Sequence, residues 1–176
     1  TGKIILVTLV LVWAVRLTSH LSMRYRTHGK DRRYQKMESS WGNRWQLHGF
    51  FKVFLLQATL AWIIILPEIL YLLLDQKVSI GPLSLVGIVV ALIGFRIEAI
   101  ADSQLADFKN DPSHPPFLQE GLWKYSRHPN YVGEVLFWWG VWIFCSAHVP
   151  IWTVISPLTL HLLIRYVSGV PLVEEQ

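Results

Sequence analysis

The chain has 176 residues, 52% of them hydrophobic, with a mean hydropathy of +0.37 and a formal net charge of +4. That apolar share is high for a water-soluble domain and ordinary for a multi-pass membrane protein. A single cysteine, Cys145, excludes a disulfide framework, and there is no metal motif. Cys145 lies in an apolar run and reads as a small buried residue. The length suits one domain, and nine Trp and six Tyr fit the aromatic belts of a membrane protein.

The first apolar segment covers about 3–21, long enough for a helix to cross the hydrocarbon core. Lys3 before an apolar run suggests a signal peptide. The run is long, however, and Arg16 interrupts it with no small-residue cleavage site, so it reads as a span. Arg16 and His20 sit near its end, where Arg16 can snorkel to the interface. Residues 22–49 are polar and basic. Arg24, Arg26, Lys30, Arg32, Arg33, Lys36 and Arg44 stand there against only Asp31 and Glu38. Such a loop suits attraction to anionic lipid headgroups and equally suits a cover over an anionic cofactor.

The second span is expected over 51–74, kinked at Pro67. Glu68 follows at once, either lining a cavity or lying close to the far interface. A short turn at 75–81 leads to the third span, 82–97, with Pro82 at a helix start where proline is tolerated. The helical pattern continues through 96–109. Glu98, Asp102 and Lys109 fall there on related faces, and Ile97, Ile100, Ala101, Leu105 and Phe108 make an apolar stripe. DPSHPP, from Asp111 to Pro116, ends it.

The stretch GLWKYSRHPNYVGEVLFWWG, Gly121 to Gly140, is the densest in chemistry. Arg127 and His128 can bind phosphate or carboxylate oxygens. Asn130 offers donors and an acceptor, and Tyr131 pairs a ring with a hydroxyl. Pro129 biases His128 away from helical geometry, so a helix is expected to begin near Asn130. Asn130 and Glu134 then share one face. Basic and aromatic residues also anchor helix ends at interfaces, which is the plainer account of Arg127 or Tyr125 alone. A carboxylate one turn inside an apolar helix is costly unless paired or functional. The fourth and fifth spans are expected over 132–146 and 150–167. His161, toward the end of the fifth, reads as a hydrogen-bonded interior or interfacial histidine.

Alternate loops are basic. Those at 22–49 and 98–130 hold most of the Lys and Arg, while those at 75–81 and 146–150 hold Lys77 only. The expectation is an all-α, multi-pass transmembrane helical bundle of about five spans. Its basic loops, central motif and visible C-terminus face the cytosol. The basic residues read as a topology signal before a nucleic-acid signal. Either the endoplasmic reticulum or a bacterial inner membrane suits this pattern.

GLWKYSRHPNYVGE resembles the C-terminal domain of the steroid 5α-reductase family, and most closely its DUF1295 branch. VWAVRLTSHLSMRYRTHGKDRRY (Val12 to Tyr34), EAIADSQLADFK (Glu98 to Lys109) and VSGVPLVEEQ (Val167 to Gln176) agree, so the likeness covers nearly the whole chain. RHPxYxG alone is shared with sterol reductases and membrane methyltransferases. The resemblance implies a membrane enzyme that binds NADPH from the cytosol. It would reduce an activated C=C bond of a steroid or other apolar, lipid-like substrate among membrane lipids, with no nucleic-acid partner.

By motif, Asn130 and Glu134 match cofactor contacts, and Asp102 matches an Asp or Asn of the preceding helix. Gln104 matches a Gln of the sterol reductases, and Lys109 takes the place of a cofactor-contacting Arg. Arg127, His128 and Tyr131 share the turn, with Tyr131 and His128 the nearest candidates for a catalytic proton donor. The chain departs from the family at Leu105, where sterol reductases tend to carry Lys, and at Trp13, which occupies the place of the 5α-reductases' catalytic Tyr. Their catalytic Glu has no counterpart, so the substrate-polarising pair is not carried over. The branch has further helices before Val12 and an aromatic, basic tail after Glu175, so the chain reads as a fragment.

Two other readings remain open at the level of sequence. One is an S-adenosylmethionine-dependent membrane methyltransferase of the isoprenylcysteine or phospholipid type, with Glu174 and Glu175 helping to hold the cofactor. The other is a non-catalytic membrane subunit.

Overall fold

The computed structural model describes residues 1–28, 39–42, 45–74, 80–111, 113 and 115–167. Among these the chain is all-helical and holds no strand. Helix α1 is Gly2–His28. Helix α2, Trp45–Gly49, passes through a π-helical stretch, Phe50–Leu55, into α3, Leu56–Ile64. Then come α4, Leu66–Leu73, α5, Pro82–Asn110, α6, Pro129–Ser146, and α7, Ile155–Leu162. Short 3₁₀ turns at Gly121–Lys124 and Ile151–Val154 precede α6 and α7. The expectations for Lys30, Asp31, Arg32, Arg33, Lys36, Glu38, Arg44, Lys77, Glu174 and Glu175 fall outside the described residues.

Three helical stretches are long and apolar enough to cross a membrane: Gly2–Met23, Trp45–Ile64 and Pro82–Asn110. Ile151–Tyr166 is apolar but shorter. The second apolar stretch therefore starts earlier than the expected 51–74 and stops sooner. Pro67 explains the stop. It lacks an N–H, and its ring collides with the carbonyl one turn back, so it is tolerated only in the first turn of a helix. The backbone leaves helical geometry at Ile65 (φ −88°, ψ 4°), and α4 begins afresh with Pro67 in its first turn.

The chain divides into two compact units, one of residues 7–63 and one of 1–6 with 64–176. In the first, Lys52 lies 5.9 Å from the Trp41 ring centroid, and the apolar side chains Val7, Leu11, Val12, Val15, Phe54 and Trp62 are exposed. An outward face of that kind suits lipid better than water.

The second unit is organised by α5 against α6. The buried residues of α5 are Ser84, Gly87, Ala91, Gly94, Glu98, Ala101 and Asp102. This is a heptad-like seam of small side chains running into two carboxylates. The helices run antiparallel, with Gly87 beside Gly140 and Gly94 beside Gly133. A Cβ on Gly87 would stand 2.7 Å from Gly140 O, and one on Gly133 would stand 2.7 Å from Gly94 O. Small residues at such positions let two helix backbones meet. The expected stripe of Ile97, Ile100, Ala101, Leu105 and Phe108 is thus only partly the inward one: Ala101 is buried and Ile100 is exposed.

Around this pair, Tyr71 of α4 packs on Phe144 of α6 with ring centroids 5.4 Å apart. Trp142 Nε1 donates to Thr153 Oγ1 at 3.1 Å, and that hydroxyl donates to Pro150 O at 2.7 Å. Ser156 Oγ donates to Ile64 O. Lys3 Nζ donates to the carbonyls of Leu72, at 2.8 Å, and Leu74, capping the end of α4.

Candidate functional site

The C-terminal half of α5 presents a buried carboxylate pair. Glu98 is 3% exposed and Asp102 is 6% exposed. They are one turn apart and share a face. Glu98 reaches its place because Gly133 has no side chain: a Cβ there would stand 2.8 Å from Glu98 Cα.

The turn before α6 is tied to the same part of α5. Gly121 adopts φ +58°, a left-handed conformation that favours glycine. A Cβ at Gly121 would stand 2.6 Å from Gln104 Cδ. Leu122 N donates to Gln104 Oε1 at 3.0 Å, and Trp123 Nε1 donates to Ala101 O at 3.1 Å. Gln104 therefore spends its carbonyl oxygen on holding the turn.

His128 precedes α6 with φ −141°, and Pro129 takes the first helical position. The residue before a proline is pushed out of helical geometry, which sets this boundary. The backbone N–H of His128 donates to Ser126 Oγ at 3.2 Å. Its ring stacks on Tyr131, with centroids 5.4 Å apart and planes 25° apart. One residue into α6, Asn130 Nδ2 donates to Asp102 Oδ1 at 3.2 Å. Asn130 Oδ1 is buried and has no hydrogen-bond partner among the described residues. Glu134 is half-buried one turn further on.

The eight residues singled out by sequence thus divide. Asp102 and Asn130 touch, His128 and Tyr131 stack beside them, Glu134 follows one turn after Asn130, and Gln104 anchors the approach. Lys109 is exposed and lies two turns beyond Asp102, about 10 Å along the helix. Arg127 is exposed as well. The buried acidic members of the cluster are Glu98 and Asp102. Sequence reasoning did not single out Gly121 or Trp123, or give Glu98 a role in the site. Glu98 had a signal in its four-residue spacing from Asp102, whereas the other two depend on contacts formed only on folding.

A family profile described as "Protein of unknown function (DUF1295)" matches residues 1–176. The chain belongs to the DUF1295 family. It is 24% identical over 186 aligned positions to Uncharacterized protein C594.04c of Schizosaccharomyces pombe, which takes in 89% of this chain and 53% of that protein. This DUF1295 chain therefore spans about half the length of its fission-yeast relative. No solved structure matches it.

Proposed function

We propose that this DUF1295 chain is the membrane-embedded, cofactor-holding domain of an NADPH-dependent oxidoreductase that reduces an activated C=C bond of a steroid or other lipid-like substrate. The observation that carries the reading is the pair made by buried Asp102 and half-buried Asn130. It leaves Asn130 Oδ1 without a partner among the described residues. Buried polar atoms are normally hydrogen-bonded. An acceptor held in place by its own amide nitrogen is ready for an N–H or O–H of a ligand. The likeness of GLWKYSRHPNYVGE and EAIADSQLADFK to the steroid 5α-reductase domain makes that ligand a reduced nicotinamide dinucleotide.

In this reading Asn130, Asp102 and Glu134 hold polar edges of the cofactor. Arg127 and Lys109 meet its phosphates from outside the cluster. Gln104 acts through the turn it anchors. His128 and Tyr131 are the candidates for the group that moves a proton. NADPH, when bound, supplies the hydride, while the chain orients it against the substrate and excludes water. The domain crosses the membrane five times, with the central motif on the cytosolic side of the endoplasmic reticulum or of a bacterial inner membrane.

The test is turnover by the detergent-solubilised chain. NADPH is supplied with a panel of enone steroids and enone lipids, and S-adenosylmethionine with isoprenylated and phospholipid acceptors is run in parallel. Enone-dependent oxidation of NADPH, abolished in Asn130→Leu, is the expected result. Methyl transfer in the parallel arm would replace this reading with the methyltransferase one.

A further inference from the structure

Three buried polar atoms gather well away from this cluster. Glu68 of α4 is 7% exposed, and both its carboxyl oxygens are buried without a hydrogen-bond partner among the described residues. Tyr71 is 0% exposed, and its phenol oxygen is in the same position. The two are three residues apart on α4 and so share a face. That face packs on the far end of α6. The Tyr71 ring lies 5.4 Å from Phe144 and 5.8 Å from His148, centroid to centroid. Asn130 is at the other end of the same helix, about 22 Å from Cys145 by helical rise. No group of three or more His, Cys, Asp or Glu side chains among the described residues is placed to hold a metal ion.

We propose that Glu68 and Tyr71 form a second binding site, which takes the hydroxyl head of an apolar alcohol. A buried polar group without a partner is costly, and two neighbouring side chains bear that cost together. A hydroxyl has one donor and two acceptor lone pairs. It can donate to a Glu68 oxygen and accept from the Tyr71 hydroxyl in one step. A pure hydrocarbon leaves the polar atoms as they were. An ammonium head must be stripped of water together with Glu68, and a buried ion pair does not dependably repay that desolvation. A fatty acid sets a second carboxyl group against the first. The ligand body suits the apolar surroundings, with Phe144 and Tyr71 inside and Leu72 and Leu73 exposed on the outer side of α4. This site does not depend on the reductase reading, because it shares no residue with the Asn130 cluster.

The test uses the purified full chain in detergent and a photoreactive hexadecanol as probe, with unlabelled hexadecanol, hexadecylamine, hexadecanoic acid and hexadecane as competitors. Labelling saturates, maps to the segment holding Glu68 and Tyr71, and is displaced best by hexadecanol. Tyr71→Phe and Glu68→Leu each weaken binding about tenfold, the factor expected for one lost hydrogen bond. Glu68→Gln retains most of it. Without alcohol, Glu68→Leu melts at or above the unmodified chain, because it removes unpartnered polar atoms, so its loss of binding is not a folding defect. Labelling that does not saturate, that both variants leave unchanged, or that hexadecylamine displaces better than hexadecanol would overturn the proposal.

Discussion

Asn130 and Gln104 look alike in sequence, each an amide close to the site, yet they do different work. Asn130 donates to Asp102 and leaves its oxygen without a partner among the described residues, while Gln104 accepts from the backbone of Leu122. The second bond places Gly121 hard against the Gln104 side chain. Gly121→Ala is therefore expected to destabilise the chain twice over. The left-handed backbone costs about 1–2 kcal/mol with a side chain, and the collision adds roughly 1–3 kcal/mol. Gln104→Ala alone loses the bond to Leu122, so the comparison is made within that background, where Gly121→Ala should cost only the backbone part. Thermal unfolding of both single variants and the double checks this, and an equal cost of Gly121→Ala in the two backgrounds would refute it. Asn130 could be found from sequence because it follows a proline and precedes Glu134 by four residues. The role of Gln104 could not, because it depends on a turn eighteen residues away.

At the scale of elements, the junction of α5 and α6 rests on absent side chains. Gly140→Leu and Gly94→Leu must push two backbones apart, which is expected to cost about 1–3 kcal/mol or more at each site. Gly81→Ala is the control, since nothing lies within 4 Å of a Cβ there, and it should be close to neutral. Circular dichroism melts of the three variants distinguish these outcomes. Thr153→Val tests the second junction. It removes the acceptor of the Trp142 indole N–H and should cost about 1–3 kcal/mol through the unsatisfied donor.

The long helices were legible from apolar runs, and so was the kink at Pro67. The seam was not, because Ser84, Gly87, Ala91 and Gly94 do not stand out from their Leu, Ile and Val neighbours by hydrophobicity. Their spacing of three and four was the available signal. Their face is filled by α6.

At the scale of the molecule, the alternation of basic and neutral loops predicts which side each loop meets. The native thiol is buried, so Cys145 should give little background to a water-soluble maleimide. Cysteines placed by Lys109→Cys and Lys124→Cys are expected to react from the cytosolic side of sealed vesicles, and one placed by Lys77→Cys from the opposite side. Reaction of all three from one side would contradict the five-span arrangement. The charge pattern is a property of the sequence itself, and the orientation drawn from it is what these cysteines test. How the two compact units divide the chain was not, since the boundaries at residues 6 and 63 carry no turn or charge signal.

The central claim is that the Asn130 cluster holds a reduced nicotinamide dinucleotide. The most direct measurement is a titration of the full chain in detergent with NADPH, repeated on Asn130→Leu with its helicity and melting confirmed. The account predicts saturable binding by the unmodified chain, weakened at least about tenfold in the variant through the lost acceptor and the released Asp102. Binding of equal strength in both would place the cofactor elsewhere and contradict it.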